Sequence, residues 1–226
     1  MKRGMDIFGE ALRAYFHGDK RELFIEDDKG NKYPHSLSKY FRKYRQFEKL
    51  EKEIISLAKG KILDVGCGPG NYIPYLNKKG EVLGIDISPK IIKVCKERGI
   101  ENVKVVDVFK FKTKEKFDTI VLLENNLGMA ETIPRTKILL KKLGKMLNKN
   151  GKILTNSRDV TKGNYFNTKG LYYNGKMRIV WKNKKGDWIC WISFNDKLLG
   201  DICKDVGMKM RVLDRVGNHY LAKITN

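Results

Sequence analysis

The sequence predicts an α/β protein in which a doubly wound, mostly parallel β-sheet carries helices on both faces. Between residues 61 and 156, short apolar segments alternate with amphipathic helical segments at the spacing of βαβ units. Residues 117–123 are apolar almost throughout, which is typical of a central strand covered on both faces. The chain ends in two strand-like segments joined at Gly217-Asn218, a hairpin signal that predicts an antiparallel pair at the end of the sheet.

Five strands and four helices are predicted around this sheet. The strands lie at residues 61–65, 81–87, 103–106, 117–123 and 152–156. Ser88-Pro89 supplies a hydroxyl cap and a proline at the first helical position, so a helix begins there, and Gly99 ends it. The other helices are predicted at residues 71–78, 136–147 and 195–206.

Two regions depart from this alternation. In the first, residues 5–16 form an amphipathic helix, residues 23–33 are extended, and apolar residues recur near a helical period over 38–58. The second, residues 160–194, contains segments that favour β-structure. We therefore predict an N-terminal helical segment, residues 1–59, that serves as a lid. The main domain then spans residues 60–226, with a β-rich insertion at 160–194 before the last helix.

Size and composition indicate one globular unit. The chain has 226 residues, of which 41% are hydrophobic and 32% charged, so it can bury a core without disulfides or metals. Lys and Arg outnumber Asp and Glu by 47 to 26, which gives a formal charge of +21. Such a charge makes nucleic acid or another acidic partner plausible, and an ordinary lysine-rich surface is the alternative.

Cysteine usage and hydropathy indicate a cytoplasmic protein without a membrane segment. The four cysteines show no C-x-x-C spacing and only three histidines are present, so we predict no metal site. Scattered thiols suit a reducing compartment. The first 16 residues carry charges throughout and do not form a secretory signal, and no run of about 18 apolar residues occurs.

The densest chemical signal is a glycine-rich loop where the first strand turns into the first helix. Gly66, Gly68 and Gly70 allow the backbone to approach a ligand, because no Cβ stands in the way. The N-terminus of the following helix adds free N–H groups and a partial positive charge. A ligand-binding loop is therefore predicted at the carboxyl end of the first strand.

Three acidic residues stand at the ends of successive strands near this loop. They are Asp64, Asp86 and Asp107. A carboxylate at the end of the second strand accepts two hydrogen bonds from a ribose diol. Dinucleotide proteins seat a pyrophosphate with G-x-G-x-x-G, whereas this chain reads G-x-G-x-G with Asp64 at the mouth of the loop. An acid there suits an ammonium group better than a pyrophosphate.

With these residues the sequence resembles the class I S-adenosylmethionine-dependent methyltransferases over residues 61–225. The matching segments are the glycine loop 64–70, the second-strand motif 84–88, Asp107, the fourth strand 117–121 and the fifth-strand region 143–154. The resemblance implies a Rossmann-like sheet of seven strands whose last strand is antiparallel. It also implies S-adenosylmethionine as cofactor, with S-adenosylhomocysteine as product.

The resemblance further implies which residues hold the cofactor. They lie in the glycine loop, at the ends of the second, third and fourth strands, and in the N-terminal segment. These residues are Asp64, Gly66, Cys67, Gly68, Gly70, Asp86, Ile87, Asp107, Val108, Glu124, Asn125, Tyr40 and Arg45. An aromatic residue and an arginine in the N-terminal segment would hold the cofactor carboxylate, and a core-packed helix with a solvated basic face is the alternative reading.

Catalysis in such an enzyme rests on position more than on a fixed catalytic residue. A sulfonium methyl is already a strong electrophile, so the protein has to place the nucleophile in line behind it and exclude water. Glu124, at the end of the fourth strand, is the one candidate general base. A helix acid or a cofactor contact is the alternative reading of this residue.

By the same resemblance, the methyl acceptor enters over the carboxyl ends of the fourth and fifth strands. The candidate acceptor-binding residues are Asn126, Arg158, Tyr172 and Trp191. The fourth strand is not followed by Asn/Asp-Pro-Pro-aromatic and no Pro-Cys pair occurs, which argues against methylation of base amines and against cysteine-dependent methylation of cytosine. The insertion mixes aromatic with basic residues, which could stack bases, frame a small aromatic pocket or cover an edge strand.

We expect a small-molecule acceptor, because the insertion is short and no separate RNA-binding motif lies outside the core. RNA methylation is one alternative, and the charge of +21 favours it. A nucleotide-binding Rossmann-like protein without turnover is the other. The sequence makes no prediction about oligomeric state.

Overall fold

The computed structural model describes residues 3–161, 168–169 and 172–226, which form two β-sheets with helices packed around them. The helices are α1 (Arg3–Phe16), α2 (Lys49–Leu57), α3 (Ile73–Leu76), α4 (Pro89–Glu97), α5 (Ile133–Gly144) and α6 (Asp196–Asp205). The strands are β1 (Leu23–Asp27), β2 (Lys32–His35), β3 (Gly60–Val65), β4 (Gly80–Asp86), β5 (Val103–Val105), β6 (Phe117–Leu122), β7 (Leu147–Arg158), β8 (Thr168–Lys169), β9 (Tyr172–Trp181), β10 (Lys184–Lys185), β11 (Ile189–Phe194), β12 (Lys209–Val216) and β13 (His219–Thr225).

The larger sheet confirms the predicted fold class. Its seven strands lie in the order β12-β13-β7-β6-β3-β4-β5. Strands β3 to β7 pair in parallel, β13 is antiparallel to β7, and β12 pairs with β13 in the terminal hairpin. The strand order reverses between β3 and β6, so the carboxyl ends of these two strands border the crevice in which doubly wound sheets bind their ligands.

Strand β6 shows why this sheet is covered on both faces. Ile120 and Leu122 point into the hydrophobic core on one face, whereas Val121 and the following Leu123 point into the core on the other. All four side chains are at most 1% exposed. Burial of each stabilises the fold by about 1.5–3 kcal/mol, which fixes the register of the central strand and hence the position of the residues that follow it.

The smaller sheet joins two regions that are far apart in the sequence. Strand β9 of the insertion pairs antiparallel with β1 of the N-terminal segment, with Leu23 opposite Trp181, and β1 pairs in turn with β2. Strands β8, β10 and β11 also pair with β9. The N-terminal segment is therefore only partly helical, because its extended part forms a hairpin that shares a sheet with the insertion.

A continuous helix over residues 38–58 was the wrong expectation. Two short 3₁₀ helices, Leu37–Phe41 and Tyr44–Gln46, precede α2. The backbone is extended at Arg42 and at Phe47, where the chain turns so that the Phe47 ring packs 5.0 Å from the ring of Tyr72. The spacing of apolar residues over 38–58 therefore reflects two 3₁₀ helices and α2 that each pack on the main domain.

The fifth predicted strand and the helix before it also differ from the sequence prediction. Helix α5 begins at Ile133 because the side chain of Thr132 accepts a hydrogen bond from the backbone N–H of Arg135. It ends at Gly144, and β7 starts at Leu147 rather than at residue 152.

Among the described residues, no helix combines the length and the apolar character needed to cross a membrane.

Candidate active site

The glycine loop follows β3 and leaves open space above its backbone. Gly66 and Gly68 have φ of +72° and +55°, in the left-handed region that side chains disfavour. A Cβ on Gly66 would lie 2.6 Å from Nδ2 of Asn126, whereas a Cβ on Gly68 would have no atom within 4 Å. The loop is thus packed at Gly66 and open at Gly68, as a backbone that receives a ligand requires.

Asp86 ends β4 and is tied to the same loop. Its Oδ2 accepts the backbone N–H of Gly68 at 3.2 Å, and its Oδ1 accepts that of Ser88 at 2.9 Å. Burial raises the pKa of Asp86 to about 6, although these backbone hydrogen bonds act in the opposite direction. Above that pH the group is a carboxylate with acceptor capacity left at the edge of the open loop.

Asp64 lies deeper, and its charge is uncompensated. The residue is 1% exposed, and its Oδ2 has no hydrogen-bond partner among the described residues. Burial, and secondarily the charge of Asp86, raise the pKa of Asp64 to about 7. A buried carboxylate in this state costs stability until a cation or a hydrogen-bond donor reaches it.

Replacing Asp64 with Asn is expected to stabilise the protein without cofactor. The folded parent holds the Asp64 proton up to a pKa of about 7, against 3.8 for a free side chain, so its unfolding free energy falls as pH rises from about 4 to 7. The Asn variant does not lose stability in this way, so its free energy of unfolding at pH 8 should exceed that of the parent by about 1–3 kcal/mol. Thermal melts of both proteins at pH 5 and pH 8 measure this difference in stability. An equal pH dependence in the two proteins would contradict the raised pKa of Asp64.

The remaining predicted cofactor residues near the loop differ in burial and in contacts. Asp107 follows β5, is half-buried, and accepts the backbone N–H of Phe109 at 2.9 Å. Val108 is buried and Ile87 is half-buried. Cys67 is buried beside Cys95, and contact with that thiol together with burial raises its pKa, so it is not a reactive thiolate.

At the end of β6 the chain adopts a strained conformation that fixes three polar residues. Glu124 and Asn125 have φ of 56° and 57°, which is uncommon outside glycine and is often found at functional sites. The Asn125 amide donates to Oγ of Ser193 at 2.7 Å, and its carbonyl oxygen accepts from Oγ of Ser157 at 2.9 Å. Asn126 donates to the carbonyls of the glycine loop at residues 65 and 66, at 3.2 and 2.8 Å. Both asparagines thus hold neighbouring segments in place.

Glu124 contacts the N-terminal segment through a network that the sequence did not reveal. Arg42 donates to Oε1 of Glu124 at 3.2 Å and to Oε1 of Glu51 at 2.6 Å. The hydroxyl of Tyr72 contacts the same two carboxylates. One signal was present in the sequence: Glu51 lies on the face of α2 that carries Ile54 and other apolar residues.

The two residues predicted to bind the cofactor from the N-terminal segment lie apart. The hydroxyl of Tyr40 is hydrogen-bonded to Nε2 of His35 at 2.8 Å, and its ring packs edge-on against Phe8 at 5.2 Å. Arg45 is exposed on the second 3₁₀ turn. Arg42, three residues earlier, is the arginine of this segment that reaches Glu124.

The predicted acceptor residues fall into different surroundings. Nε of Arg158, at the end of β7, lies 2.9 Å from Nε2 of His219. The indole N–H of Trp191 donates to the backbone carbonyl of Asn125 at 3.2 Å. The backbone of Tyr172 belongs to β9, but its side chain lies outside the described residues, as do Tyr165 and Phe166 of the insertion. Within the described part of the chain, no group of three His, Cys, Asp or Glu side chains could hold a metal ion.

Comparison with protein families gives one match that covers most of this site. A family model described as "Methyltransferase domain" matches residues 57–203. The match includes the glycine loop, the ends of β4, β5 and β6, and the insertion. It thus spans more than half of the chain.

Among solved structures, a methyltransferase from Bacteroides fragilis is similar over its whole length. That protein is described as S-adenosylmethionine-dependent and was crystallised with S-adenosyl-L-homocysteine. The two chains are 27% identical and superpose with a TM-score of 0.88, over 100% of this chain and 96% of the other.

Curated relatives are similar over shorter regions. A tRNA (carboxymethyluridine(34)-5-O)-methyltransferase from Arabidopsis thaliana is 33% identical over 115 residues, which is 50% of this chain and 27% of the relative. A ubiquinone biosynthesis O-methyltransferase from Xanthomonas oryzae pv. oryzae (strain PXO99A) is 28% identical over 102 residues, 41% of each chain. The matched region thus spans well under half the length of these relatives.

Proposed function

Because the chain belongs to the methyltransferase domain family and is an S-adenosylmethionine-dependent methyltransferase, we propose that it methylates a small-molecule acceptor. The acceptor would reach the cofactor over the carboxyl ends of β6 and β7. This proposal rests on the open glycine loop, the three strand-end acids and the roof, by which we mean strand β11 of the smaller sheet where it packs on Asn125 after β6. Each supports one part of the reaction.

The residues around the loop fit the cofactor's chemical groups. The space above Gly68 would admit the ligand next to the backbone. Asp86 has the position and the charge to accept the ribose hydroxyls, and Asp107 to accept the adenine amino group. The unpartnered carboxylate of Asp64 would be satisfied by the ammonium group. When bound, the cofactor supplies an electrophilic methyl group on a sulfonium.

The residues beyond the loop would exclude water and orient the acceptor. Glu124 is the acid nearest the end of β6, and its side chain is 39% exposed. It can therefore accept a hydrogen bond, or a proton, from an acceptor bound over the end of β6. Arg42 holds this carboxylate in one orientation. Arg158 and His219, at the adjoining ends of β7 and β13, would contact the polar part of the acceptor.

The roof beside the end of β6 is the observation that carries the choice of a small acceptor. Strand β11 places Trp191 and Ser193 on Asn125, directly after the candidate base. The first 3₁₀ turn of the N-terminal segment is held beside the glycine loop, because Asn71 donates to the carbonyl of Lys39 at 3.4 Å. Segments that pack on the residues after β3 and after β6 suit a molecule that can be enclosed, as ligand pockets generally require.

Transfer of radioactive methyl groups tests this proposal. We expect label from tritiated S-adenosylmethionine to move into the low-molecular-weight fraction of a metabolite extract near physiological salt. The Glu124→Gln variant should lose at least tenfold in rate, in line with the usual contribution of a general base. Matched reactions with the exposed-carboxylate variant Glu81→Gln serve as control. Label that enters RNA alone would refute the small-molecule acceptor.

RNA methylation is the second candidate, and two observations favour it. The chain carries a formal charge of +21, and it is similar over 115 residues to a tRNA methyltransferase. Charge alone predicts weak RNA binding at low salt, which should weaken by about 0.7 log units per phosphate contact for each tenfold rise in salt. Submicromolar binding to one defined RNA near physiological salt, together with methyl transfer to it, would establish this alternative.

A further inference from the structure

Hydrogen-bond stoichiometry in the Arg42, Glu51, Tyr72 and Glu124 network requires a shared proton. The hydroxyl of Tyr72 lies within hydrogen-bond distance of Oε1 of Glu51 and, at 2.9 Å, of Oε1 of Glu124. A phenolic hydroxyl has one proton to donate, so it serves only one of two ionised carboxylates. The two carboxyl groups are also hydrogen-bonded to each other, and that bond requires a proton on one of them. The network therefore holds one proton more than two ionised glutamates would.

The charges in the network agree with this count. Arg42 contributes one positive charge and donates to both carboxyl groups. Two carboxyl groups that share one proton contribute one negative charge, so the network is neutral. Neutrality matters because the Glu51 side chain is only 3% exposed and an uncompensated charge at that depth is costly.

Within the pair, the proton belongs to Glu51. Burial, followed by its hydrogen bond with Glu124, raises the pKa of Glu51 to about 7. Burial acts on Glu124 in the same direction, but the hydrogen bond with Glu51 and the charge of Lys39 hold the pKa of Glu124 below its ordinary value. Glu124 is thus ionised and partly exposed, while Glu51 is buried and keeps its proton up to a pH of about 7.

Other titratable and charged groups face this pair from several elements. They are His35, Lys39 and Tyr40 before α2, Glu48 at its start, Arg158 at the end of β7 and His219 at the start of β13. Burial lowers the pKa of His35 to about 4, and burial also lowers that of His219, so both are neutral at pH 7. Of the groups in this network, Glu51 is the one whose charge changes near pH 7. In the adjoining glycine loop, Asp64 and Asp86 also titrate, with pKa values of about 7 and about 6, and both are unchanged in the variants compared below.

The network adjoins the glycine loop. Glu124 is separated by one residue from Asn126, whose amide holds the loop carbonyls. On the basis of the proposed function, we propose that Glu51 and Glu124 act together as the proton acceptor of methyl transfer. The pair releases its shared proton when the cationic cofactor binds and takes up the acceptor's proton as the methyl group is transferred.

Protons, charges and electrons balance in this cycle. Cofactor binding brings a positive sulfonium, and the pair releases one proton to solvent, so the local charge is unchanged. The acceptor's electron pair then forms the bond to the methyl carbon, and the electrons of the broken sulfur–methyl bond stay on sulfur. The acceptor's proton goes to Glu124 and is shared with Glu51 across the hydroxyl of Tyr72. The pair is then in its starting state, beside a neutral thioether.

Calorimetry of cofactor binding measures the proton that this cycle releases. S-adenosylmethionine and S-adenosylhomocysteine are titrated at pH 6.5 into the parent and the Glu51→Gln variant, in buffers of different ionisation enthalpy. We expect the parent to release about 0.5–1 proton more than the variant with S-adenosylmethionine, and less than half that difference with S-adenosylhomocysteine. The cofactor's own amino group titrates alike with either protein, so the difference isolates the pair.

Two further variants secure the interpretation. Glu81→Gln removes an exposed carboxylate at the start of β4 and should release as many protons as the parent. Glu124→Gln, at a more exposed position, should show the same decrease in proton release as Glu51→Gln. It replaces Glu51→Gln in the experiment if thermal melts show that Glu51→Gln does not fold. Equal proton release from parent and folded variants would overturn the inference and leave the proposed function intact, since both ligands bind. Failure of either ligand to bind the parent would overturn both.

Discussion

The Gly68→Val variant is expected to remain folded and to lose cofactor binding by at least a hundredfold. A Cβ at this position has no atom within 4 Å, so the branched side chain would fill the space that the ligand needs next to the backbone. Its φ of +55° adds about 1–2 kcal/mol of strain for a residue other than glycine. Titration calorimetry with S-adenosylhomocysteine measures the loss, and circular dichroism confirms the fold.

Gly207→Val is the matched control for this experiment. Gly207 follows α6, has a φ of +76°, and a Cβ there likewise meets no atom within 4 Å. The variant therefore imposes a similar backbone strain in open space, away from the loop. It should lose stability as Gly68→Val does and bind cofactor as the parent does. If both variants bind as tightly as the parent, the loop is a turn and not a ligand cradle.

The Asp86→Ala variant should bind S-adenosylmethionine and S-adenosylhomocysteine about thirty- to a thousandfold more weakly, a loss of about 2–4 kcal/mol. The carboxylate is expected to accept both ribose hydroxyls, and it also accepts the backbone N–H of Gly68 at 3.2 Å, so its removal affects the ligand and the loop. Calorimetry at pH 7.5 measures the change. Unchanged affinity would refute the role assigned to Asp86.

Asp86→Asn separates these two effects of the carboxylate. Its amide oxygen can keep one backbone hydrogen bond, whereas its charge is gone, so a loss as large as that of Asp86→Ala would assign the affinity to charge. The parent should bind more weakly as pH falls below about 6, the pKa of Asp86 in the folded protein. The Asn variant should lack that part of the pH dependence. Binding of NAD in place of S-adenosylmethionine would contradict the proposed assignment of the whole site.

The parts of the fold that follow from local sequence were predicted well. Alternating apolar and amphipathic segments gave the parallel sheet, and Gly217-Asn218 gave the terminal hairpin. Ser88 caps α4 as expected, since its hydroxyl accepts from the N–H of Ile91. Strand–loop–helix spacing also placed Asp86 beside the glycine loop. These features depend on residues that are close together in the sequence, so they can be predicted from one amino-acid sequence.

The parts that depend on contacts between distant segments were not predicted. No local pattern indicates that Leu23 lies opposite Trp181, because strand pairing of this kind is decided by packing on the main domain. The contact of Arg42 with Glu124 was missed for the same reason, because it depends on the extended backbone at residue 42 and not on a helical period. Asn126 was assigned to the acceptor, although its amide holds the loop.

The pairing of β1 with β9 also sets an order of events during synthesis. Roughly 150 residues separate the two strands, so at about 5–20 residues per second the N-terminal hairpin waits about 8–30 s for its partner to leave the ribosome. The glycine loop and all five parallel strands of the large sheet are translated in that interval. The nascent chain can therefore assemble its cofactor-binding half while the edge of β1 is still unpaired. During this time the exposed strand is a site for wrong pairing, and a chaperone that covers Leu23 and Phe24 would raise the yield of active protein.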